Sequence, residues 1–503
     1  MTGRIGVCAG TSGPGALHLI NGLYNAQKEG AAVIAITGQV PTAQRGSDFH
    51  KEMDLTKVFD DVCAYQAIIE TPAQVPRMVE IAAQKSLTER VVTRVEVAAD
   101  IFVKDIASEH YTHPLVHALP AVPAPASELA KAVALLQQGS KVTLFCGIGC
   151  RSAKADVLAL AEKLGAPVAH TLRALDIFNY DDGPVVGLTG NIGNPAGLHA
   201  VNDCDVLLML GTDFPYAEFL PDGRPIIQVD NNVDHIGRRA PVTLGLVGDV
   251  GATVRALLPL IDSDRKSARF RDHLVKVRQK WCKHMDDQAS LSRTDEPLHP
   301  QLFARAISDA AADDAIFAVD VGECAIWVAR QMAMTGGRRM VGGFNHGSLG
   351  SGLPTALGAS ALDPSRQVWA LCGDGGFGMS MNDFVTAVRY GWPLKVLIFN
   401  NSELGFVAME MQVAGMPKAC GGDGVRVEHA ADIVPAIQQA IASDKPFIID
   451  AIVSSGELSM PPHIGSEEFY GFGISKVKEG ILGIKGDHRV WKEWRDEFKA
   501  FFS

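Results

Sequence analysis

Short apolar runs, each closed by glycine or a small polar residue and followed by a helical stretch, recur along the whole chain. Ile5-Gly6-Val7-Cys8-Ala9 leads into the glycine turn Gly10-Thr11-Ser12-Gly13-Pro14-Gly15, and the spacing then predicts a helix over Ala16 to Gln27. Ala32-Val33-Ile34-Ala35-Ile36 is the next strand. The pattern returns in Val142-Thr143-Leu144-Phe145, Val206-Leu207-Leu208-Met209-Leu210, Ile226-Ile227-Gln228-Val229, Val368-Trp369-Ala370-Leu371-Cys372 and Lys395-Val396-Leu397-Ile398-Phe399. Strands alternating with helices predict parallel sheets. The fold class expected is therefore α/β, with three doubly wound parallel-sheet domains over residues 1–113, 127–261 and 297–460 and a tail over 461–503. The segment from His113 to Ser127, with Pro114, Pro120, Pro123 and Pro125, reads as a linker. Asp262 to Glu296 is charged and reads as a long connecting helix.

Composition narrows the classes. The 503 residues suffice for three ordinary domains, and 47% apolar residues with 50 glycines suit a large α/β protein with many tight turns. A net charge of −11 argues against nucleic-acid binding. No apolar run is long enough to span a bilayer, and the chain opens on a strand rather than on a signal peptide. The nine cysteines contain no Cys-x-x-Cys pair and read as reduced, buried thiols of a cytoplasmic protein. Cys146 and Cys150 bracket a glycine turn, which packing explains better than a metal.

The chemistry concentrates near Gly373-Asp374-Gly375 and Asn400-Asn401, separated by 24 residues, 376 to 399. Both follow predicted strands, so both arrive at the carboxyl edge of a sheet, where α/β proteins bind ligands. Glycines let a backbone approach a diphosphate closely. Asp374 and Asn401 offer the hard oxygens that Mg²⁺ prefers. In the middle block, Gly147-Ile148-Gly149, Gly187 to Gly193 (with Gly190) and Gly211-Thr212-Asp213-Phe214 are glycine turns, and Asp230-Asn231 follows a strand, where a ribose hydroxyl would find an acceptor.

On these residues the chain resembles the thiamine diphosphate enzymes that act on 2-oxo acids, and within them the pyruvate oxidases and quinone-dependent pyruvate dehydrogenases. The resemblance covers essentially the whole chain. Further markers are Leu17 to Leu23, which includes Asn21, and Gly343 to Ser348, which includes His346. It implies thiamine diphosphate, Mg²⁺ and FAD as cofactors, the metal being held by Asp374 and Asn401 side chains and the Glu403 carbonyl, with Asp249 a further family match in the middle block and Arg173 a candidate partner there for a phosphate or the flavin ring. Leu349 sits where the family places an apolar residue beneath the cofactor, core packing being the alternative. Phe406 and Glu410 match the oxidases rather than the acetolactate synthases; the alternative is one apolar and one exposed helix position. The reaction implied is oxidative decarboxylation of pyruvate or a related 2-oxo acid in a homodimer at minimum and, by resemblance, a homotetramer. Rival readings are a carboligase or non-redox decarboxylase, and a cofactor-binding homologue without catalysis.

The sequence departs from the family in three places. The glutamate that activates the aminopyrimidine lies upstream of the glycine turn in the family, so the first domain is expected to lack its opening strand-helix unit. Glu29 and Glu52 are the nearest carboxylates, and neither matches that position. The connection after Gln412 to Val425 is short and glycine-rich, and Phe49-His50-Lys51-Glu52 replaces a family Phe-Gln-Glu. In the tail, Trp491, Trp494, Phe498, Phe501 and Phe502 share a helix face, read either as peripheral contact with the inner membrane face to reach a quinone or as a helix docked on the protein.

Overall fold

The structure is a computed structural model that describes residues 1–106, 120–262, 266–293, 298–401 and 422–453. It contains three wholly parallel sheets. Two compact units divide the chain: residues 1–120 with the loop 342–351, and residues 121–341 with the chain from Gly352 onward.

The first unit holds β1 (Gly6–Gly10), β2 (Val33–Gln39), β3 (Tyr65–Ile69) and β4 (Val92–Ala98), in the order β1-β2-β4-β3. Every residue of β4 is buried, whereas β1 lies at the sheet edge with Val7 61% exposed. The helical stretch after the glycine turn forms two helices, Pro14–Leu17 and Ile20–Lys28, rather than one. Arg94, with no exposure, donates to Glu96 at 2.8 Å, and Glu96 also receives Arg45 at 2.8 Å. That pairing ties the loop after β2 to β4, because a buried carboxylate needs its charge met.

In the second unit, the central sheet comprises β5 (Val142–Cys146), β6 (Val168–His170), β7 (Val185–Leu188), β8 (Val206–Leu210), β9 (Ile226–Asp230) and β10 (Leu244–Val247). Their spatial order is β7-β6-β5-β8-β9-β10. Counted from β5, this is the 3-2-1-4-5-6 order of dinucleotide-binding sheets. Leu144, Leu208 and Leu210 pack on one face and Phe145, Leu207 and Met209 on the other, as the period of two requires. The third sheet comprises β11 (Ile316–Val319), β12 (Arg339–Val341), β13 (Val368–Gly373), β14 (Lys395–Asn400), β15 (Asp423–Val427) and β16 (Phe447–Ile452), ordered β12-β11-β13-β14-β16-β15. The connecting segment between the two sheets carries the helix Ala268–Gln288.

One carboxylate links these two sheets. The Asp176 side chain has no solvent exposure. It accepts from Arg151 at 2.6 and 3.1 Å, from Arg339 Nε at 2.9 Å and from the Met340 backbone N–H at 3.2 Å. Removing it would leave two partly exposed guanidinium groups and the Met340 N–H without their acceptor. Asp176→Ala is expected to cost about 1–3 kcal/mol, read as a fall in the urea midpoint; an unchanged midpoint would contradict the linking role.

His170 closes β6 and is 1% exposed. Burial disfavours its imidazolium and lowers its pKa to about 4, against smaller raising effects from the Thr171 carbonyl and Asp182. The folded pKa thus lies below the unfolded value, so its contribution is complete above pH 6.5 and is lost as pH falls toward 4, by about 3 kcal/mol. Thermal unfolding between pH 7 and 4.5 should decline less steeply in His170→Asn than in the wild type; equal slopes would sink the assignment.

Candidate active site

The third sheet reverses its winding between β11 and β13: β11 connects outward to β12, whereas β13 connects the other way to β14. Such a switch point opens a crevice at the carboxyl ends of the strands. Val319 pairs with Leu371 and Gly373 with Phe399, so the ends of β11, β13 and β14 lie side by side. Asp320, Asp374 and Asn401 each follow directly on one of these strands. Strand interiors here are buried and their backbone groups bonded, so the first polar side chains available to a ligand are those just past the ends.

At this edge a Cβ built on Gly373 would meet nothing within 4 Å, so the backbone there faces open space. The Gly375 N–H donates to Asp374 Oδ1 at 2.8 Å. Asn401 Nδ2 donates to Glu323 Oε2 at 3.2 Å, which leaves the amide oxygen as the face that can meet a cation. Asn400 Nδ2 donates to Asp450 Oδ1 at 3.2 Å. Burial raises the Asp450 carboxyl above its ordinary range, with Asn400 and Arg426 partly opposing the shift. Among the described residues, no group of three or more His, Cys, Asp or Glu is gathered to hold a metal. One carboxylate and one amide oxygen beside open space instead suit Mg²⁺, which binds through one or two carboxylates plus a ligand's phosphates. The residues therefore fit a diphosphate-bound Mg²⁺, with Asp374 and Asn401 as the protein's side-chain donors. Glu403, Phe406 and Glu410 lie outside the described residues, as do the 461–503 tail and the segment after Gln412.

In the first unit, the loop 342–351 packs on the helix Ile20–Lys28. Asn21 Nδ2 donates to Ser348 Oγ at 2.8 Å, and Asn21 Oδ1 lies 3.2 Å from His346 Nε2. The His346 ring stacks on Tyr24 with centroids 5.5 Å apart. Asn21 and His346, both expected at the cofactor, are thus in contact with each other, and Leu349 follows them half-buried. Glu29 accepts from the Asn345 N–H at 2.9 Å. Glu52 accepts from Gly46 and Phe49 N–H groups, which hold its carboxyl below the usual range. Both carboxylates therefore have structural work, Glu29 in holding the loop 342–351 and Glu52 within its own loop.

The central sheet brings its candidates together differently. Cys146 pairs with Leu210, so the turns after β5 and β8 meet at the switch point. Gly147 N–H donates to Leu210 O at 2.9 Å and Gly149 N–H to Gly211 O at 3.1 Å. A Cβ on Gly147 would lie 2.4 Å from Gly211 O, and one on Gly149 2.7 Å from Gly211 Cα. These three glycines are required by their mutual approach before any ligand is considered. Thr212 and Phe214 are buried beside them, and a Cβ on Gly190 would press on the Phe214 ring at 3.0 Å. Burial works against the charge of Asp213, but hydrogen bonds and charges from Arg238 and Arg239 outweigh it and hold the carboxyl below its usual range. Asp230 Oδ1 accepts from the Asn232 N–H at 2.9 Å and lies 3.2 Å from His235 Nδ1, so this oxygen organises its own turn. Asn231, between them, is exposed. Asp249 caps the helix Val250–Leu257 by accepting from the Ala252 N–H at 2.8 Å. Arg173 is half-buried in the turn after β6.

Sequence reasoning missed Glu323 and Asp450. The signal for Glu323 was present: Asp320-Val321-Gly322-Glu323 follows a buried strand just as Gly373-Asp374-Gly375 does.

Three family descriptions match this chain. A thiamine pyrophosphate enzyme N-terminal TPP binding domain matches residues 1–58, a thiamine pyrophosphate enzyme central domain 129–257, and a C-terminal TPP binding domain 320–451. The chain belongs to the thiamine pyrophosphate enzyme family. It is 34% identical over 494 residues to the putative thiamine pyrophosphate-containing protein YdaP of Bacillus subtilis, covering 95% of this chain and 85% of the relative. It is 29% identical to the acetolactate synthase large subunit of Corynebacterium glutamicum, over 90% of this chain and 77% of that protein. It is 27% identical to the pyruvate oxidase of Lactiplantibacillus plantarum, over 92% and 80% respectively.

Asp374→Ala and Asn401→Ala should each weaken Mg²⁺-dependent binding of thiamine diphosphate by about 100-fold or more, since even residues that only support metal ligands cost 10–100-fold. Isothermal titration at fixed Mg²⁺ reads this. Asp213→Asn, in the central sheet, should leave that affinity in place; an equal loss there would contradict the location of the site.

Proposed function

We propose that the chain is a thiamine diphosphate- and FAD-dependent enzyme that oxidatively decarboxylates pyruvate or a related small 2-oxo acid. The observation that carries the thiamine half is the pair Asp374 and Asn401 on adjacent strand ends beside the open space at Gly373. The 3-2-1-4-5-6 order of the central sheet, with glycine turns meeting at its switch point, supports a dinucleotide there. The likeness to a pyruvate oxidase supports the substrate class.

When bound, thiamine diphosphate supplies an electron sink for decarboxylation, and FAD a two-electron acceptor. The chain's own residues orient and neutralise. Asp374 and Asn401 place the cation that meets the diphosphate charge, and Gly373 leaves room for its approach. Leu349 is assigned the apolar support beneath the cofactor, and the half-buried Arg173 a place beside the flavin. By the resemblance, Phe406 is assigned a place between thiamine and flavin, and Glu410 one near the substrate. A second subunit completes the site in this reading, so the working form is a homodimer or a homotetramer.

A second reading is carboligation of the acetolactate synthase type, favoured by the relative of that name at comparable identity. Anaerobic addition of pyruvate to the purified protein separates the two. Oxidative decarboxylation predicts a flavin spectrum as isolated, its bleaching on addition of pyruvate as the flavin is reduced, and release of CO₂. Acetolactate without bleaching would establish the second reading, and neither bleaching nor product would leave a protein that binds cofactors without turning over.

A further inference from the structure

We propose that Glu323 is a positioning residue of the metal site: its carboxylate holds the side-chain nitrogen of Asn401 so that the amide oxygen faces the cation. The inference rests on the Asp374–Asn401 reading of the site and adds a residue to it.

Asparagine can present either of two atoms to a ligand. Its amide has an oxygen that can bind a hard cation and an NH₂ group that cannot, and the two are nearly equal in size. Sterics alone do not select between the two orientations, so a neighbour must. Ionised Glu323 has only acceptors, and it stands 3.2 Å from Asn401 Nδ2. A flipped amide would bring oxygen against oxygen. The contact therefore discriminates between the two rotamers.

The fold fixes Glu323 for this task. It is the first residue of the helix Glu323–Gln331. Asp320 accepts from the Val321 N–H at 2.8 Å, and Gly322, at φ 124°, turns the chain from β11 into the helix. A side chain at Gly322 would strain that turn. The positive end of the helix favours an ionised carboxylate at this position. Glu323 and Asn401 are 78 positions apart and meet because β11, β13 and β14 are consecutive in the sheet.

The test uses the full chain with saturating thiamine diphosphate and Mn²⁺ in place of Mg²⁺, following free Mn²⁺ by electron paramagnetic resonance. Glu323→Ala removes the acceptor and should weaken Mn²⁺ binding by about 10–100-fold, the range for groups that orient metal ligands. Glu323→Gln keeps an acceptor oxygen without the charge and should retain most of the affinity. In an Asn401→Ala background, Glu323→Ala should add no further loss, because it acts through that amide. Wild-type affinity in Glu323→Ala would overturn the proposal, as would equal losses in the Ala and Gln variants, which would assign the effect to charge. An additive loss in the double variant would overturn it too. A wild type that fails to bind Mn²⁺ at all would remove the reading of the site along with the proposal, whereas the other contrary outcomes remove the proposal alone.

Discussion

Parallel pairing constrains everything else in this molecule. When all strands of a sheet run the same way, their carboxyl ends fall on one edge, and side chains distant in sequence become neighbours there. The strand interiors are buried on both faces and their backbone groups are bonded to one another. Polar chemistry is thereby pushed to the first residues beyond each strand. In the third sheet this rule places Asp320, Asp374 and Asn401 along a single crevice, and it brings Glu323 within hydrogen-bonding distance of Asn401.

The central sheet obeys the same rule with a different result. Its switch-point turns cross so closely that Gly147, Gly149 and Gly211 are needed for the backbone to fit at all. The acidic residues around them are engaged locally: Asp213 with two arginines, Asp230 within its own turn, Asp249 as a helix cap. These contacts build the wall of the crevice at the switch point. Asp176 then joins this sheet to β12 through Arg151 and Arg339, so the two sheets of the second unit share a charge cluster around one buried carboxylate.

Much of this was legible in the sequence, for a physical reason. A buried parallel strand is a continuous apolar run, and the residue that ends it is conspicuous, so the sequence alone places Gly373-Asp374-Gly375 and Asn400-Asn401 on strand ends. Helix breaks were harder: the turn at His18 and Leu19 interrupts what spacing alone presents as one helix. Long-range pairings were not legible at all. Nothing local in Glu323 announces Asn401, 78 positions away, and nothing in Asn21 announces Ser348. Glycine turns were legible as turns but ambiguous in purpose, because close backbone packing and close approach of a phosphate make the same demand on the residue.

The central claim is that the edge formed by β13 and β14 is a diphosphate-bound metal site. Anomalous scattering from a crystal grown with thiamine diphosphate and Mn²⁺ tests it most directly. A peak is expected at roughly 2.1 Å, the distance of a hard octahedral cation, from a carboxylate oxygen of Asp374 and from the amide oxygen of Asn401. A peak elsewhere, or thiamine diphosphate bound with no metal between these two residues, would contradict it.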